Sequence, residues 1–288
     1  MADSAGVMRP SDDELDLFGI THTGKVRATN QDHFLVATVH PQVVIHGTSL
    51  PKSEELPLRG TRLATMLVVA DGVGGAVAGS DAAQLATESV THYVSSSLNS
   101  YHEAGQGTEG LLLEALRGAA MHAHEAVLSQ ASENAEQRGM ATTLTLCIVV
   151  YPWAYIVQVG DSRAYHFRNG ELIQLTRDQT IGQSLVDQGL MPQERLHLSP
   201  FKHVLSSAIG ASEAAPDVTR FDISERGSLI MLCSDGLTKH VENSEIADRI
   251  ASMTSSEELA KGLLDLALER GGTDNITIVA GRAPLTVT

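Results

Sequence analysis

Two Asp-Gly pairs close apolar runs in this chain. Leu67-Val68-Val69-Ala70 leads into Asp71-Gly72, and Leu229-Ile230-Met231-Leu232-Cys233-Ser234 leads into Asp235-Gly236. A third acidic turn, Gly271-Gly272-Thr273-Asp274-Asn275, opens the strand-like Ile276-Thr277-Ile278-Val279. The end of a buried strand holds a side chain still yet leaves it at the solvent boundary. Three carboxylates gathered there would offer the oxygen ligands that hard divalent cations prefer. The pattern therefore points to a metal-assisted hydrolase.

Other candidates read more plainly. The stretch DGVGGAVAGS lacks the Gly-Lys-Ser/Thr of a P-loop and does not match GxGxxG, so it is a turn that lets backbone approach an ion. Asp161 in VGDSRAY is read as turn chemistry with Arg163 as its structural partner. His122 and His124, two apart on a helix, do not face one another and read as a solvated face. No Gly-x-Ser-x-Gly elbow is present.

The elements that must position the three acidic turns follow from periodicity and punctuation. Leu15–Thr21 and Phe34–Val39 are strand-like runs around the polar turn THTGKVRATNQD. The segment from His40 to Arg62, rich in Pro, Gly and charge, reads as a long surface loop, and Leu63–Ala70 as a buried strand. Helical spacing covers Asp81–Leu98 and about Thr108–Ala131, with the polar linker NSYHEAGQG between them. A meander of strands follows over 142–150, 154–159, 164–168 and 172–175, with Asn169-Gly170 as a hairpin signal. Ile181–Ser207 is mixed and polar, with one short helix near Ile181–Gln188. Strands over 218–221 and 229–233, helices over 242–251 and 256–269, and a last strand over 276–280 complete the chain. Strands and helices do not alternate as βαβ, which predicts an α+β fold of antiparallel sheets packed together with helices outside.

The bulk numbers set bounds. The chain has 288 residues, 42% of them apolar, and a formal net charge of −15. That charge argues against a nucleic-acid partner, which normally leaves a basic footprint. No apolar stretch reaches membrane-spanning length, and the N-terminal residues lack a secretory signal pattern. Cys147 and Cys233 sit inside apolar runs and read as buried thiols, which suits a reducing, cytoplasmic setting.

In order along the chain, TGKVRATNQD, VVADGVGG, GMATTL, VGDSRAY, LTRDQT, LSSAIG, LCSDGL and GGTDNIT resemble the motif set of the metal-dependent serine/threonine protein phosphatases of the PPM (type 2C) family, in their compact bacterial form. The likeness runs from about Leu17 to Gly281. It implies a four-layer α-β-β-α sandwich: residues 1–13 a polar tail, 14–284 a single phosphatase domain, and about 181–207 a flap beside the site, with Gly182, Gly189 and Pro192 as points of movement. It implies two Mg²⁺ or Mn²⁺ ions, with Asp71 bridging both, the Gly72 carbonyl on one, and Asp235 and Asp274 on the other. Asp32 would act through metal-bound water, Asn275 would orient Asp274, and Arg27 would bind the substrate phosphate. The implied reaction is hydrolysis of phosphoserine or phosphothreonine by a hydroxide bridging the two cations, on phosphorylated proteins made by a serine/threonine kinase.

Four positions depart from the family pattern. Gln31 precedes Asp32 where Glu is frequent. Val73 stands where many members carry His, which leaves the general acid to a metal-bound water. Arg138 stands before Gly139-Met140 where bacterial members often carry an Asp for a third metal, so a third metal is expected to be weak or absent. Gln179 replaces a usual His, with its effect on the neighbouring segment. Two alternatives stay open: a catalytically weak signalling or scaffold module of the same fold, and a hydrolase of small phosphomonoesters.

Overall fold

The apolar runs assemble into two antiparallel sheets. The computed structural model describes residues 9–42, 45, 58–74, 76–104 and 109–284. The first sheet is ordered β1 (Asp16–His22), β11 (Ile276–Arg282), β10 (Leu229–Cys233), β7 (Arg163–Arg168), β8 (Glu171–Gln174). The second is ordered β2 (Asp32–Val39), β3 (Ala64–Val73), β5 (Leu144–Val150), β6 (Trp153–Val159), β9 (Asp217–Asp222), with the short β4 (Ala141–Thr142) paired to the end of β3. Helices α1 (Ala76–Ala104) and α2 (Glu109–Glu133) cover the second sheet, while α5 (Asn243–Ser252) and α6 (Ser256–Glu269) cover the first. The expected four layers are present.

Strand periodicity explains why the central runs are apolar throughout. Side chains alternate between faces. On β3, Met66 and Val68 pack under the helices while Leu67 and Val69 fill the space between the sheets. On β10, Met231 and Cys233 face α5 and α6 while Ile230 and Leu232 meet Leu67 and Val69 between the sheets. Both faces are dry, so no polar alternation survives. Cys147 and Cys233 are buried and unpaired.

Two sequence expectations change. Residues 142–175 are not one meander: β5 and β6 lie in the second sheet and β7 and β8 in the first, so Gly160-Asp161 is a crossover between sheets and not a hairpin. The loop 23–31 crosses in the same way from β1 to β2. The linker NSYHEAGQG begins as helix, because nothing before Gly105 breaks α1. The Asn169-Gly170 turn is as expected, with both residues at positive φ (52° and 82°).

The tail is not wholly solvated. Pro10 is buried, and buried Arg62 donates to the Pro10 carbonyl and to Asp12 Oδ1, both at 2.6 Å. Residues 1–8 and most of the interior of the His40–Arg62 loop lie outside the described residues. Among the described residues, no helix is long and apolar enough to cross a membrane.

Candidate active site

β2 and β3 pair so that Asp32 stands opposite Asp71 at one end of the second sheet. The Asp71 backbone is fixed there by the GMATTL motif. Its N–H donates to Thr143 Oγ1 at 3.0 Å, and its carbonyl accepts from Thr143 N–H and Thr142 Oγ1, both at 2.9 Å. Gly72 follows in a crowded place: a Cβ there would lie 2.3 Å from the Gly79 carbonyl oxygen. A residue without a side chain is thus required sterically, and its backbone lines the cleft.

The first sheet supplies the other two acids. β10 ends at Cys233, and Asp235 opens the single-turn helix α4 (Asp235–Thr238). Asp274 precedes β11, the neighbouring strand, and a Cβ on Gly236 would fall 1.9 Å from the Asn275 carbonyl oxygen. The two turns therefore interlock. Asn275 also ties in the loop that carries Arg27. Its side-chain amide donates to the Thr23 and Thr29 carbonyls, and its Oδ1 accepts from Gln31 N–H, all at 2.9 Å. The Asn275 N–H meets Asp274 Oδ1 at 3.0 Å.

Arg27, Asp71, Gly72, Asp235, Asp274 and Asn275 all line one cleft of about 550 Å³. Asp32 lies buried behind them. Its Oδ2 accepts from Ser234 and Thr277 hydroxyls, both at 2.7 Å, while its Oδ1 has no hydrogen-bond partner. Arg27 is half exposed and forks onto Asp274, Nε to Oδ1 at 2.7 Å and Nη2 to Oδ2 at 2.8 Å.

Three further groups enter the cleft that sequence reasoning does not assign to it. Asp161 is there because its turn crosses between the sheets. Arg163 is not its partner: that guanidinium forks onto Asp178, at 2.9 and 2.7 Å. The motif VGDSRAY is visible in the sequence, but a carboxylate's role cannot be separated from turn chemistry until the crossover is known. His203 reaches in from the flap, Nδ1 3.9 Å from Asp235 Oδ2, and nothing periodic marks it. Lys239 follows Asp235 at i+4, a spacing readable in LCSDGLTKH. Arg138, by contrast, is exposed and is not among the residues that line the cleft.

The remaining departures are local. Gln179 clamps the Asp161 turn: its Oε1 accepts from Gly160 N–H and its Nε2 donates to the Ala215 carbonyl, both at 2.9 Å. Within the flap, α3 (Ile181–Asp187) forms as expected, but Gly182 is a packing point, where a Cβ would lie only 3.0 Å from Lys202 Cα. His124 is not on a solvated face. It is buried, and its Nδ1 accepts from Gly210 N–H at 3.0 Å.

The electrostatics favour cations. Burial, and then the charges of Asp32, Asp235 and Asp161, push the Asp71 carboxyl well above the usual range. Burial raises Asp32 to about 6, and burial with Asp235 raises Asp161 to about 8. Asp274 moves the other way: burial opposes ionisation, but Arg27 and Lys239 outweigh it. Buried carboxylates that resist sharing negative charge, one with an orphaned oxygen, offer oxygen donors of the kind Mg²⁺ or Mn²⁺ prefers, and Asp161 and Asp235 lie with the His203 imidazole in a group that could hold an ion.

The protein phosphatase 2C family model matches residues 58–269. This chain belongs to the protein phosphatase 2C family. It is 35% identical to the serine/threonine protein phosphatase PstP of Mycobacterium tuberculosis over 216 residues, covering 75% of this chain and 40% of that protein. The chain thus spans well under two thirds of PstP. It is 31% identical to the serine/threonine phosphatase stp of Listeria welshimeri over 220 residues, 74% of this chain and 82% of that one. The solved catalytic domain of PstP in complex with two manganese ions superposes with a TM-score of 0.71 at 29% identity, covering 94% of this chain and 99% of that one. The phosphatase 2C sandwich anticipated from the motifs is therefore the fold of this chain.

Proposed function

We propose that this member of the protein phosphatase 2C family is a metal-dependent serine/threonine protein phosphatase, with Asp71, the Gly72 carbonyl, Asp235 and Asp274 holding two divalent cations. One observation carries the reading: carboxylates from both sheets converge on a single open cleft that Arg27 also lines. The manganese complex of the similar PstP domain supports the choice of cation. When bound, the two cations would supply Lewis-acid stabilisation of the phosphoryl group and an activated water for in-line attack.

The chain's own residues divide the remaining work. Arg27 has the planar fork that grips two phosphate oxygens and offsets charge on them in the transition state. It must leave Asp274 to do so. Asn275 holds the Arg27 loop, and Asp32, held by Ser234 and Thr277, keeps one buried carboxylate oxygen without a hydrogen-bond partner, which suits its proposed action through metal-bound water. Phosphoproteins made by a serine/threonine kinase are the substrate class that the relatives' names suggest. Two buried, unpaired thiols fit a reducing, cytoplasmic setting.

The test is hydrolysis of a phosphothreonine peptide and of a small aryl phosphate, each with Mn²⁺, with Mg²⁺ and with chelator. Metal-dependent turnover of the peptide is expected. Turnover of the aryl phosphate alone would reassign the substrate class, and no turnover on either would favour a scaffold role.

A further inference from the structure

Lys239 sets its ammonium between two of the carboxylates proposed to hold metal. It ends α4, where its N–H donates to the Asp235 carbonyl at 2.8 Å. Its stem turns back into the cleft and brings Nζ to 2.6 Å from Asp235 Oδ2 and 2.7 Å from Asp274 Oδ2. The side chain is 21% exposed, so both ion pairs are shielded from water. Arg27 occupies the other side of Asp274. Two of the three carboxylates proposed to hold metal are thus already satisfied by cations belonging to the chain.

A divalent cation bound to Asp235 Oδ2 sits about 2.0–2.6 Å from that oxygen. An ammonium at 2.6 Å on the same oxygen competes for the same lone pairs and repels the incoming charge. The lysine stem can withdraw, because its bonds rotate freely and its charge is a compact point. We propose that Lys239 is an internal counter-ion that competes with the divalent cations: it holds the acidic cleft together without metal and sets the concentration at which metal displaces it. This rests on the two-cation reading of Asp235 and Asp274. A lysine serving only as a rim ion pair would affect stability alike with and without metal and would leave metal affinity unchanged.

The experiment is Mn²⁺ titration of the full chain by calorimetry, with free Mn²⁺ followed by electron paramagnetic resonance, for the unaltered protein, Lys239→Met and Lys239→Arg. Removing a positive charge a few ångströms from the metal should tighten Mn²⁺ binding by ~10-fold or more, while Lys239→Arg should stay within ~3-fold of the parent. The metal-free Lys239→Met protein should melt at a lower temperature than the parent, and saturating Mn²⁺ should close that gap. If the variant folds only with metal, chelator competition from the loaded state reads the same affinity. Unchanged or weaker Mn²⁺ binding by folded Lys239→Met would overturn the proposal. Failure of the unaltered protein to bind Mn²⁺ would overturn the two-cation reading instead, so the two failures are distinct.

Discussion

Asp32 and Asp71 face each other across the β2–β3 ladder, which sets two carboxylates side by side at the end of a buried sheet. Without a cation, their mutual repulsion opposes folding. Replacing Asp71 with Asn removes the carboxyl that burial and neighbouring acids hold well above the usual range, and keeps the shape. Turnover should fall by about 10³-fold or more, since the ligand proposed to be shared by both cations is lost. The metal-free protein should nevertheless melt at a higher temperature, by about 2–4 °C for each kcal/mol of repulsion relieved. Near-normal turnover in Asp71→Asn would remove Asp71 from the ligand set.

Asn275 links the strand that follows Asp274 to the loop that carries Arg27. Asn275→Ala leaves the Thr23 and Thr29 carbonyls without this donor and Gln31 N–H without this acceptor. The cost should be on the order of 2–4 kcal/mol in urea unfolding. KM for a phosphopeptide should rise more than kcat falls, because the Arg27 loop loses its anchor. Parental stability together with parental KM would show that the loop is held by other contacts.

Much of this site is legible in the sequence because strand ends announce themselves. Apolar runs closed by Asp71-Gly72 and Asp235-Gly236 mark β3 and β10, and the Gly-rich turn before Ile276 marks β11. Which strands share a sheet cannot be read. Periodicity reports that residues 154–159 and 164–168 are strands, but not that the chain changes sheets between them, and that change is what delivers Asp161 to the cleft. Lys239 and His203 escape for a related reason: an i+4 lysine is ordinary on any helix, and a flap histidine has no pattern at all.

Glu14 gives a test by pH. Arg226 and the Ser11 N–H hold its carboxyl down at about 2, from an ordinary 4.5. A depressed carboxyl contributes stability above its unfolded value, and that contribution is lost as pH falls from about 4.5 through about 2. Carbon-detected titration of the Glu14 carboxyl should therefore show no midpoint near 4.5, and Arg226→Met should move the midpoint up towards it, short of it by what the Ser11 N–H still contributes. A midpoint near 4.5 in the unaltered protein would mean that the pair does not form in solution.

The cysteines test the core. Burial pushes the Cys233 thiol up to about 12 and raises Cys147 as well. A thiol reagent at about pH 8 should find neither in the folded protein, because the reactive thiolate is both scarce and covered. Both of the chain's 2 cysteines should react once guanidinium unfolds it. Rapid labelling of either under native conditions would contradict the packing between and beneath the sheets.

The most direct measurement is anomalous diffraction at the manganese edge from crystals of the chain grown with Mn²⁺. Two peaks are expected in the cleft, both touching Asp71, one also reached by the Gly72 carbonyl and the other by Asp235 and Asp274. Peaks confined to other surfaces, or a cleft without manganese at saturating concentration, would contradict the two-cation site.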